Sequence, residues 1–426
     1  MRFVSLALLM LTGCPGPADS ADSGGPAVFV DLWGAVTDPY LALAPVDGAW
    51  VLLDLGDEQV ALRTGSDGSF SMPGVPGDVP ISITVAAEDH MAVTYADLRL
   101  ADATMPLDLR THLRDIGSYA TESMTISGTV SGAPVGSYVM FFGPSDADLD
   151  GSYLDYVQVG STDPVAFEVR PELVLPGSDY ALSALAFDGS SWVVQAAAAG
   201  AVAWGGSETL DFALDPGALQ DLAVTVPSPS LDGGAVTALD ADYCESLAVT
   251  QLGESMSTTT GYNRSCDGDA SGFELDLGWV PVDGFTDRIQ LYLFDDLSIG
   301  TYAFGSLPIP SGAASMEISL LDSPLLDHHD DLGQGGEIGW EPVEGATSAM
   351  LYGYDADGSL AWYLYPGTDR ASFTFPRFPA DFDPTVILEG GSWAVISRHL
   401  VYGDDGALDQ REAYTGSISH GGPLFL

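Results

Sequence analysis

Short apolar runs, separated by glycine, aspartate and proline, recur along the whole chain. Within segments such as 81–85 (ISITV), apolar and polar positions alternate, which places successive side chains on opposite faces of a strand. The long apolar period of about 3.6 residues that an amphipathic helix requires does not appear. The pattern predicts an all-β protein in which several β-sandwich domains follow one another along the chain.

The first fourteen residues have a different pattern. Arg2 precedes a short apolar run and a pair of small residues, which is the order of a secretory signal peptide. The run is shorter than the ~20 residues that a membrane-spanning helix needs. The residues Leu11-Thr12-Gly13-Cys14 resemble a bacterial lipobox, and this resemblance implies that Cys14 carries the lipid and becomes the mature N-terminus. An ordinary signal peptide with a chance cysteine, or a buried strand, is the alternative.

Composition restricts the partners of the folded part. The chain has 426 residues, 61 acidic against 12 basic side chains, and a net charge of -49. Such a charge repels nucleic acid and anionic lipid headgroups, so we exclude both as main partners. A hydrophobic content of 46% nevertheless excludes global disorder.

The length predicts two to four domains, at roughly 100–200 residues each. Residues 15–27 contain no large apolar side chain and repeat Ala-Asp-Ser, which is typical of a disordered tether. The predicted organisation is a signal peptide with lipobox over 1–14, the tether over 15–27, β-sandwiches over 28–110 and 122–226, a linker over 227–230, a β module over 231–325 and a C-terminal β-sandwich over 333–426.

The segment 28–110 carries three recognisable motifs: GAVTD at 34–38, GAWVLL at 48–53 and TGSDGSF at 64–70. Their order resembles the carboxypeptidase regulatory-like, transthyretin-like β-sandwich. The resemblance implies a structural accessory module that has no catalytic residues of its own. The glycine and aromatic residue that usually follow the next strand are missing, because residues 86–90 read AAEDH.

Two later segments repeat each other, LGWVPVDG at 277–284 and IGWEPVEG at 338–345. Each is followed by an alternating strand, and the pattern resembles the early strands of fibronectin type III-like, immunoglobulin-like sandwiches. The copies lie closer than the ~100 residues of a complete domain, so either one copy is truncated or only a strand-turn-strand unit is shared. We predict core positions for Trp279 and Trp340, while a sugar-binding face that also uses Trp362 and Trp393 is the alternative.

Cys244 and Cys266 are the only cysteines besides Cys14. An even pair in an exported chain predicts a disulfide, which would stabilise the fold by ~3 kcal/mol in the chain-entropy model. Two separate buried thiols are the alternative, since two cysteines do not prove proximity.

Two other segments contain residues of the types that bind metal ions. Asp146, Asp148 and Asp150 precede Gly151 with the spacing of a calcium loop. The acid expected at the twelfth position is missing, and the pattern favours a solvated hairpin over a Ca²⁺ site. The adjacent histidines in 328–331 (HHDD) favour a polar linker between domains.

The local motifs of common hydrolases, zinc proteases and nucleotide-binding proteins do not occur in the sequence. We therefore expect a lipid-anchored protein of the cell envelope that displays non-catalytic β-sandwich modules. We expect the lipid to attach the protein to a membrane, and the modules to bind a carbohydrate or a protein ligand. The alternative is an exported carbohydrate- or peptide-active hydrolase whose site lies in the C-terminal modules and leaves no local motif.

Overall fold

A computed structural model describes most of the chain beyond the predicted tether. The described residues are 29–56, 58–98, 100, 107–111, 113–114, 119–144, 152–160, 164–177, 179–188, 193–227, 230–231, 234–235, 244–251, 257–263, 267–269, 272–281, 286–296, 301–322, 324, 326–329, 336–355, 359–366, 371–380, 392–402 and 408–417. They form strands and two single-turn 3-10 helices, Pro39–Leu41 and Pro216–Ala218. The all-β prediction is confirmed. No helix in this part of the chain is long and apolar enough to cross a membrane.

The first module is a β-sandwich of two sheets. Its strands are β1 (Phe29–Asp38), β2 (Ala44–Pro45), β3 (Trp50–Asp54), β4 (Gln59–Arg63), β5 (Ser69–Pro76), β6 (Ile81–Ala86), β7 (Ala92–Leu98) and β8 (Leu107–Arg110). One sheet has the order β2-β1-β5, with β8 parallel to β1, and the other begins β4-β3-β6-β7. Buried side chains from both sheets, including Val36, Phe70 and Ile83, form the core between them.

Close backbone approach explains the glycine of the motif at 64–70. Gly68 has a φ of +72°, and a Cβ there would lie 2.5 Å from the carbonyl oxygen of Val36. The preceding Asp67 accepts hydrogen bonds from the backbone N–H and the hydroxyl of Ser69, which closes the turn. These hydrogen bonds lower the pKa of Asp67, so the carboxylate form of the turn is favoured.

The second module is also a sandwich. Its strands are β9 (Glu122–Ser123), β10 (Thr125–Ser131), β11 (Tyr138–Gly143), β12 (Ser152–Gln158), β13 (Val165–Val169), β14 (Glu172–Leu173), β15 (Asp179–Phe187), β16 (Val194–Ala203), β17 (Ser207–Thr209) and β18 (Phe212–Ala213). The sheet β13-β10-β17 faces the sheet β12-β11-β15-β16 across a core that contains Ile126, Phe141 and Leu182. Gly200 does not interrupt β16, which pairs with β15 from Val194 to Ala203.

The third module begins earlier in the chain than the predicted boundary at 231. Its strands are β19 (Gln220–Pro227), β20 (Ser230–Leu231), β21 (Gly234–Ala235), β22 (Cys244–Gln251), β23 (Ser257–Asn263), β24 (Asp267–Asp269), β25 (Gly272–Trp279), β26 (Thr286–Asp296), β27 (Thr301–Pro308) and β28 (Ser315–Glu317). All eight residues of β19 pair with β25, so this strand lies in the sheet of the third module. Val224, Leu275 and Trp279 pack there against Leu291 of β26.

The fourth module has three strands in one sheet and four strands in another. Its strands are β29 (Leu326–His329), β30 (Glu337–Trp340), β31 (Ser348–Tyr354), β32 (Leu360–Tyr365), β33 (Ser372–Thr374), β34 (Ser392–Tyr402) and β35 (Leu408–Ser417). The sheet β29-β30-β33 accompanies the strand order β32-β31-β34-β35. His328 and His329 belong to β29 and pair with Gly339 and Ile338, so the linker interpretation is wrong for these two residues.

Strand pairing joins the last module to the first. Strand β32 runs parallel to β7, with Trp362 opposite Ala92 and Tyr365 opposite Tyr95. At the opposite edge of the fourth module, β35 pairs with β27 of the third module. One continuous ladder therefore runs from β4 of the first module through the fourth module into the third. Because each joint pairs two strand edges, the hydrogen-bonding groups of those edges are satisfied within the chain.

Candidate functional site

One face of the joint between the first and fourth modules is a hydrophobic core. Trp362 is fully buried there and packs with Trp340, Phe375 and Phe378. Its indole Nε1 donates a 3.0 Å hydrogen bond to the hydroxyl of Thr94. The small residues of β6 and β7 on this face let the large aromatic side chains of the fourth module approach the first.

The opposite face of the same strands carries tyrosines. Gly353 and Trp362 are buried, whereas Tyr352 and Tyr354 beside Gly353, and Tyr363 after Trp362, are only half-buried. Half-buried tyrosines pack around Met350. The parallel strand β7 adds one more ring beside them. We call this set the tyrosine face: Tyr95, Tyr352, Tyr354, Tyr363 and Tyr365.

The rings of the tyrosine face stand at defined angles to one another. The Tyr95 and Tyr365 rings are stacked, with centroids 5.4 Å apart and planes 10° apart. Tyr363 continues the row at 6.4 Å and 16° from Tyr365. Tyr352 instead meets Tyr363 edge-on, at 5.1 Å and 78°. Three nearly parallel rings and one perpendicular ring therefore pack against one another along the strands.

Two phenols of this face, those of Tyr95 and Tyr363, stay neutral. Burial, and then the neighbouring Tyr365, raise the pKa of Tyr95 to about 12. Burial also raises the pKa of Tyr363, and the phenols of Tyr352, Tyr365, Tyr40 and Tyr354 act in the same direction. Because the charged phenolate is disfavoured, both side chains keep their hydroxyl protons at neutral pH.

A buried carboxylate fixes the loop that carries Tyr40 beside the tyrosine face. Asp38 accepts a 2.8 Å hydrogen bond from the backbone N–H of Tyr40 and another of 2.8 Å from the hydroxyl of Tyr119. The Tyr40 and Tyr119 rings lie 5.3 Å apart. His90 Nε2 lies 3.8 Å from the same carboxylate. Burial, and then the hydrogen bond to Asp38, raise the pKa of Tyr119, so its hydroxyl remains a donor.

Two ion pairs flank the tyrosine face. Arg110, whose charge acts on Tyr95, pairs with Asp108 at 2.9 Å. Arg114 pairs with Asp355, the residue directly after Tyr354. Each guanidinium is thus matched by a carboxylate, and Asp38 adds a further acidic group. The chain as a whole carries a net charge of -49.

The predicted modification and metal residues lie mainly outside the described residues. This holds for Cys14, for Asp146, Asp148 and Asp150, and for Cys266, while Cys244 begins strand β22. Lipidation, the calcium site and the disulfide therefore stay predictions. Within the described ranges, no three His, Cys, Asp or Glu side chains come together as a metal-binding group.

The tryptophan prediction is confirmed. Trp279 and Trp340 are only 4% and 3% exposed, and both belong to cores. Trp362 is buried as well, so these three side chains do not form a ligand platform. The tyrosines on the same strands were not predicted, although their alternation (YGY at 352–354, YLY at 363–365) was a usable signal.

No protein-family model matches the chain, and no curated protein matches it. Solved structures that match include the Bacillus anthracis TIE protein, at 10% identity and a TM-score of 0.17, over 68% of this chain and 50% of that protein. The chain thus spans about half the length of that protein.

Two further matches cover nearly the whole of the other protein. BcpA, the major pilin subunit of Bacillus cereus, aligns at 8% identity and a TM-score of 0.16, over 69% of this chain and 99% of BcpA. A Ca²⁺-stabilized adhesin that helps an Antarctic bacterium bind ice aligns at 10% identity and a TM-score of 0.15, over 91% of this chain and 99% of that one. TM-scores this low assign neither a fold family nor a function.

Proposed function

We propose that the chain is a lipid-anchored protein of the cell envelope whose β-sandwich modules are non-catalytic and bind an external partner. The tyrosine face is the observation that carries this proposal. It places five partly accessible aromatic rings on paired strands, where the backbone holds them in position. Tyrosine is enriched at protein interfaces because it combines a large apolar ring with a polar hydroxyl.

The position of the face supports a binding role. Its rings come from the first and the fourth module, and the buried packing of Trp362 on the opposite side fixes the two modules against each other. A surface built on strands that are locked by a core is pre-organised, so little side-chain entropy is lost when a partner binds.

The polar groups beside the face have structural partners. Both oxygens of Asp38 accept hydrogen bonds that hold Tyr40 and Tyr119 in place. The hydroxyls of Thr84 and Thr94 lie 2.8 Å apart and, with Trp362, join two modules. These contacts account for the buried polar side chains as parts of the scaffold and favour binding over hydrolysis as the task of this region.

Anchoring follows from the predicted lipobox and tether. Multiple acyl chains at Cys14 would hold the chain on a membrane, since each buried methylene contributes about 0.8 kcal/mol. A flexible tether of thirteen residues would have a root-mean-square reach of about 20 Å, which would separate the folded part from the headgroups. The acidic modules would then face away from anionic lipid.

The test is a ligand screen with the full chain. Wild-type protein, the Tyr352→Leu/Tyr363→Leu variant and a matched Tyr153→Leu/Tyr156→Leu variant are applied to glycan and protein arrays. Tyr153 and Tyr156 are 49% and 51% exposed on β12, so the control removes two surface tyrosines far along the chain from the face. We expect to find ligands that bind the wild type and the control variant but do not bind the Tyr352→Leu/Tyr363→Leu variant. Identical binding profiles for all three proteins would contradict the proposal.

A further inference from the structure

We propose that the chain is a load-bearing protein whose first three modules resist tension applied along the chain. This inference goes beyond the proposed function, because it concerns how the modules transmit force and involves neither the tyrosine face nor the lipid. It is carried by a strand arrangement that these modules share. In each of them the first long strand, which we call the entry strand, pairs in parallel with the last one or two strands, the exit strands.

The parallel pairs of entry and exit strands are short ladders, which we call the terminal ladders. They join β1 with β8, β10 with β17 and β18, and β19 with β28. Backbone hydrogen bonds continue each ladder beyond its strands, with the N–H of Thr111 donating to the carbonyl of Thr37 (3.1 Å), that of Leu214 to Ser131 (2.8 Å) and that of Ile318 to Thr225 (2.9 Å). Each module is thus closed by direct contact between the segments where the chain enters and leaves it.

Parallel terminal strands place the two ends of a module at opposite ends of one ladder. The chain enters the first module at the start of β1 and leaves it beyond the end of β8, so tension pulls these strands in opposite directions along their common axis. Such a pull shears the ladder, and the evenly spaced hydrogen bonds of a parallel pair share the load. Antiparallel terminal strands would instead put both ends of the module at one end of the ladder, where the bonds break one after another.

Side chains reinforce the terminal ladders of the first two modules in a similar way. In the first module the hydroxyl of Thr37 donates a 3.3 Å hydrogen bond to Asp108 of β8. In the second module Asp211, between β17 and β18, accepts a 2.8 Å hydrogen bond from the backbone N–H of Thr129 and one of 2.9 Å from its hydroxyl. In both modules a carboxylate on the exit side therefore holds a threonine of the entry strand across the ladder.

A glycine on the entry strand lets the exit strand come close in the same two modules. A Cβ at Gly34 of β1 would clash with the carbonyl oxygen of Leu107, and a Cβ at Gly128 of β10 would clash with that of Leu210. The close approach and the carboxylate–threonine contact thus occur together in both modules. This recurrence favours a common task for the terminal ladders.

Pulling one module in two directions tests the proposal. Azidophenylalanine replaces Ser123 and Ala213 in one full-length protein, and Ser123 and Ser207 in another, and all three positions are exposed. DNA handles attached to the azides load only the second module in optical tweezers. The first pair of handles lies at opposite ends of the terminal ladder and shears it, whereas the second pair lies at one end and peels it apart.

We expect the shearing pair to unfold the module at a force roughly twofold or more above that of the peeling pair at the same loading rate, since forced unfolding follows the rate at which the ladder breaks. Either geometry should release roughly 300 Å of chain, at ~3.5 Å per residue, which identifies the second module. Urea melts without load establish that both labelled proteins are folded and equally stable. Equal forces in the two geometries, or a lower force in shear, would overturn the proposal.

A substitution within the ladder shows whether its contacts bear the load. Asp211→Ala removes the acceptor of both Thr129 hydrogen bonds and should lower the shearing force. Asp179→Ala, at an exposed position of β15 outside the ladder, is the matched control and should leave that force unchanged. If both variants lower the shearing force equally, the ladder is not the element that bears the load. Neither measurement involves a ligand or a lipid, so failure here would leave the proposed function untouched.

Discussion

The indole N–H of Trp362 donates a hydrogen bond to the hydroxyl of Thr94, a residue 268 positions earlier in the chain. This bond lies within a parallel pairing of β32 with β7, and both side chains are fully buried. Near the same joint, the backbone N–H of Arg377 donates to the side-chain oxygen of Gln59 over 3.0 Å. The first and fourth modules are therefore held together by strand pairing, a shared core and two polar contacts, of which the one between Trp362 and Thr94 is buried.

Replacing Thr94 by valine should destabilise this joint. Thr94→Val keeps the branched shape but leaves the Trp362 N–H without its acceptor and removes the partner of the Thr84 hydroxyl. An unsatisfied buried donor costs about 1–3 kcal/mol, so we expect the free energy of unfolding in urea to fall by about that amount. Thr209→Val, at an exposed position of β17, is the matched control and should change it by less than about 0.5 kcal/mol. Equal stability of both variants would show that the hydrogen bond contributes nothing.

The turn at Gly68 provides a second test, in the first sandwich alone. Gly68→Ala introduces a Cβ that would meet the Val36 carbonyl oxygen at 2.5 Å, and it forces a non-glycine residue to a φ of +72°. Strain of this kind costs of order 1–3 kcal/mol, and the melting temperature should fall accordingly. Gly206→Ala is the control, because nothing lies within 4 Å of its Cβ position. A Gly68→Ala protein as stable as this control would contradict the described turn.

Local patterns predicted the parts of the fold that depend on neighbouring residues. Alternation predicted strands in the first module, and the shared tryptophan motifs placed Trp279 and Trp340 in cores. The motif at 64–70 contains the glycine that its turn requires, because a φ of +72° favours glycine. Such features are fixed within a few residues, and a sequence motif records them directly.

Relationships between distant segments could not be predicted in the same way. Alternation in β32 shows that Trp362 and Tyr363 face opposite sides, but nothing in it identifies β7 as the pairing partner. For the same reason β19 was assigned to the second module, although its ladder is with β25. The tyrosine face depends on the β7–β32 pairing, and so its fifth ring, Tyr95, could be added only from the structure.

Lipid anchoring is tested at Cys14. The Cys14→Ser variant cannot form the thioether, so we expect it to lose metabolic labelling with a fatty acid and to leave the detergent-rich phase on partitioning. Ser20→Ala in the tether is a control that should remain lipidated and membrane-bound. If the Cys14→Ser protein partitions with detergent as the wild type does, the lipoprotein assignment is wrong and the N-terminus is held by other means.

The last prediction concerns Cys244 and Cys266, which we expect to form a disulfide. Protein exported to an oxidising compartment is alkylated without reduction, digested and mapped by mass spectrometry, and a linked peptide pair should be recovered. Closing a loop of this size restricts the unfolded chain, so reduction should lower the free energy of unfolding by ~3 kcal/mol in the chain-entropy model. The Cys244→Ser/Cys266→Ser variant should match the reduced wild type and show no further response to reductant. Recovery of both cysteines as alkylated free thiols from oxidatively folded protein would establish two separate thiols instead.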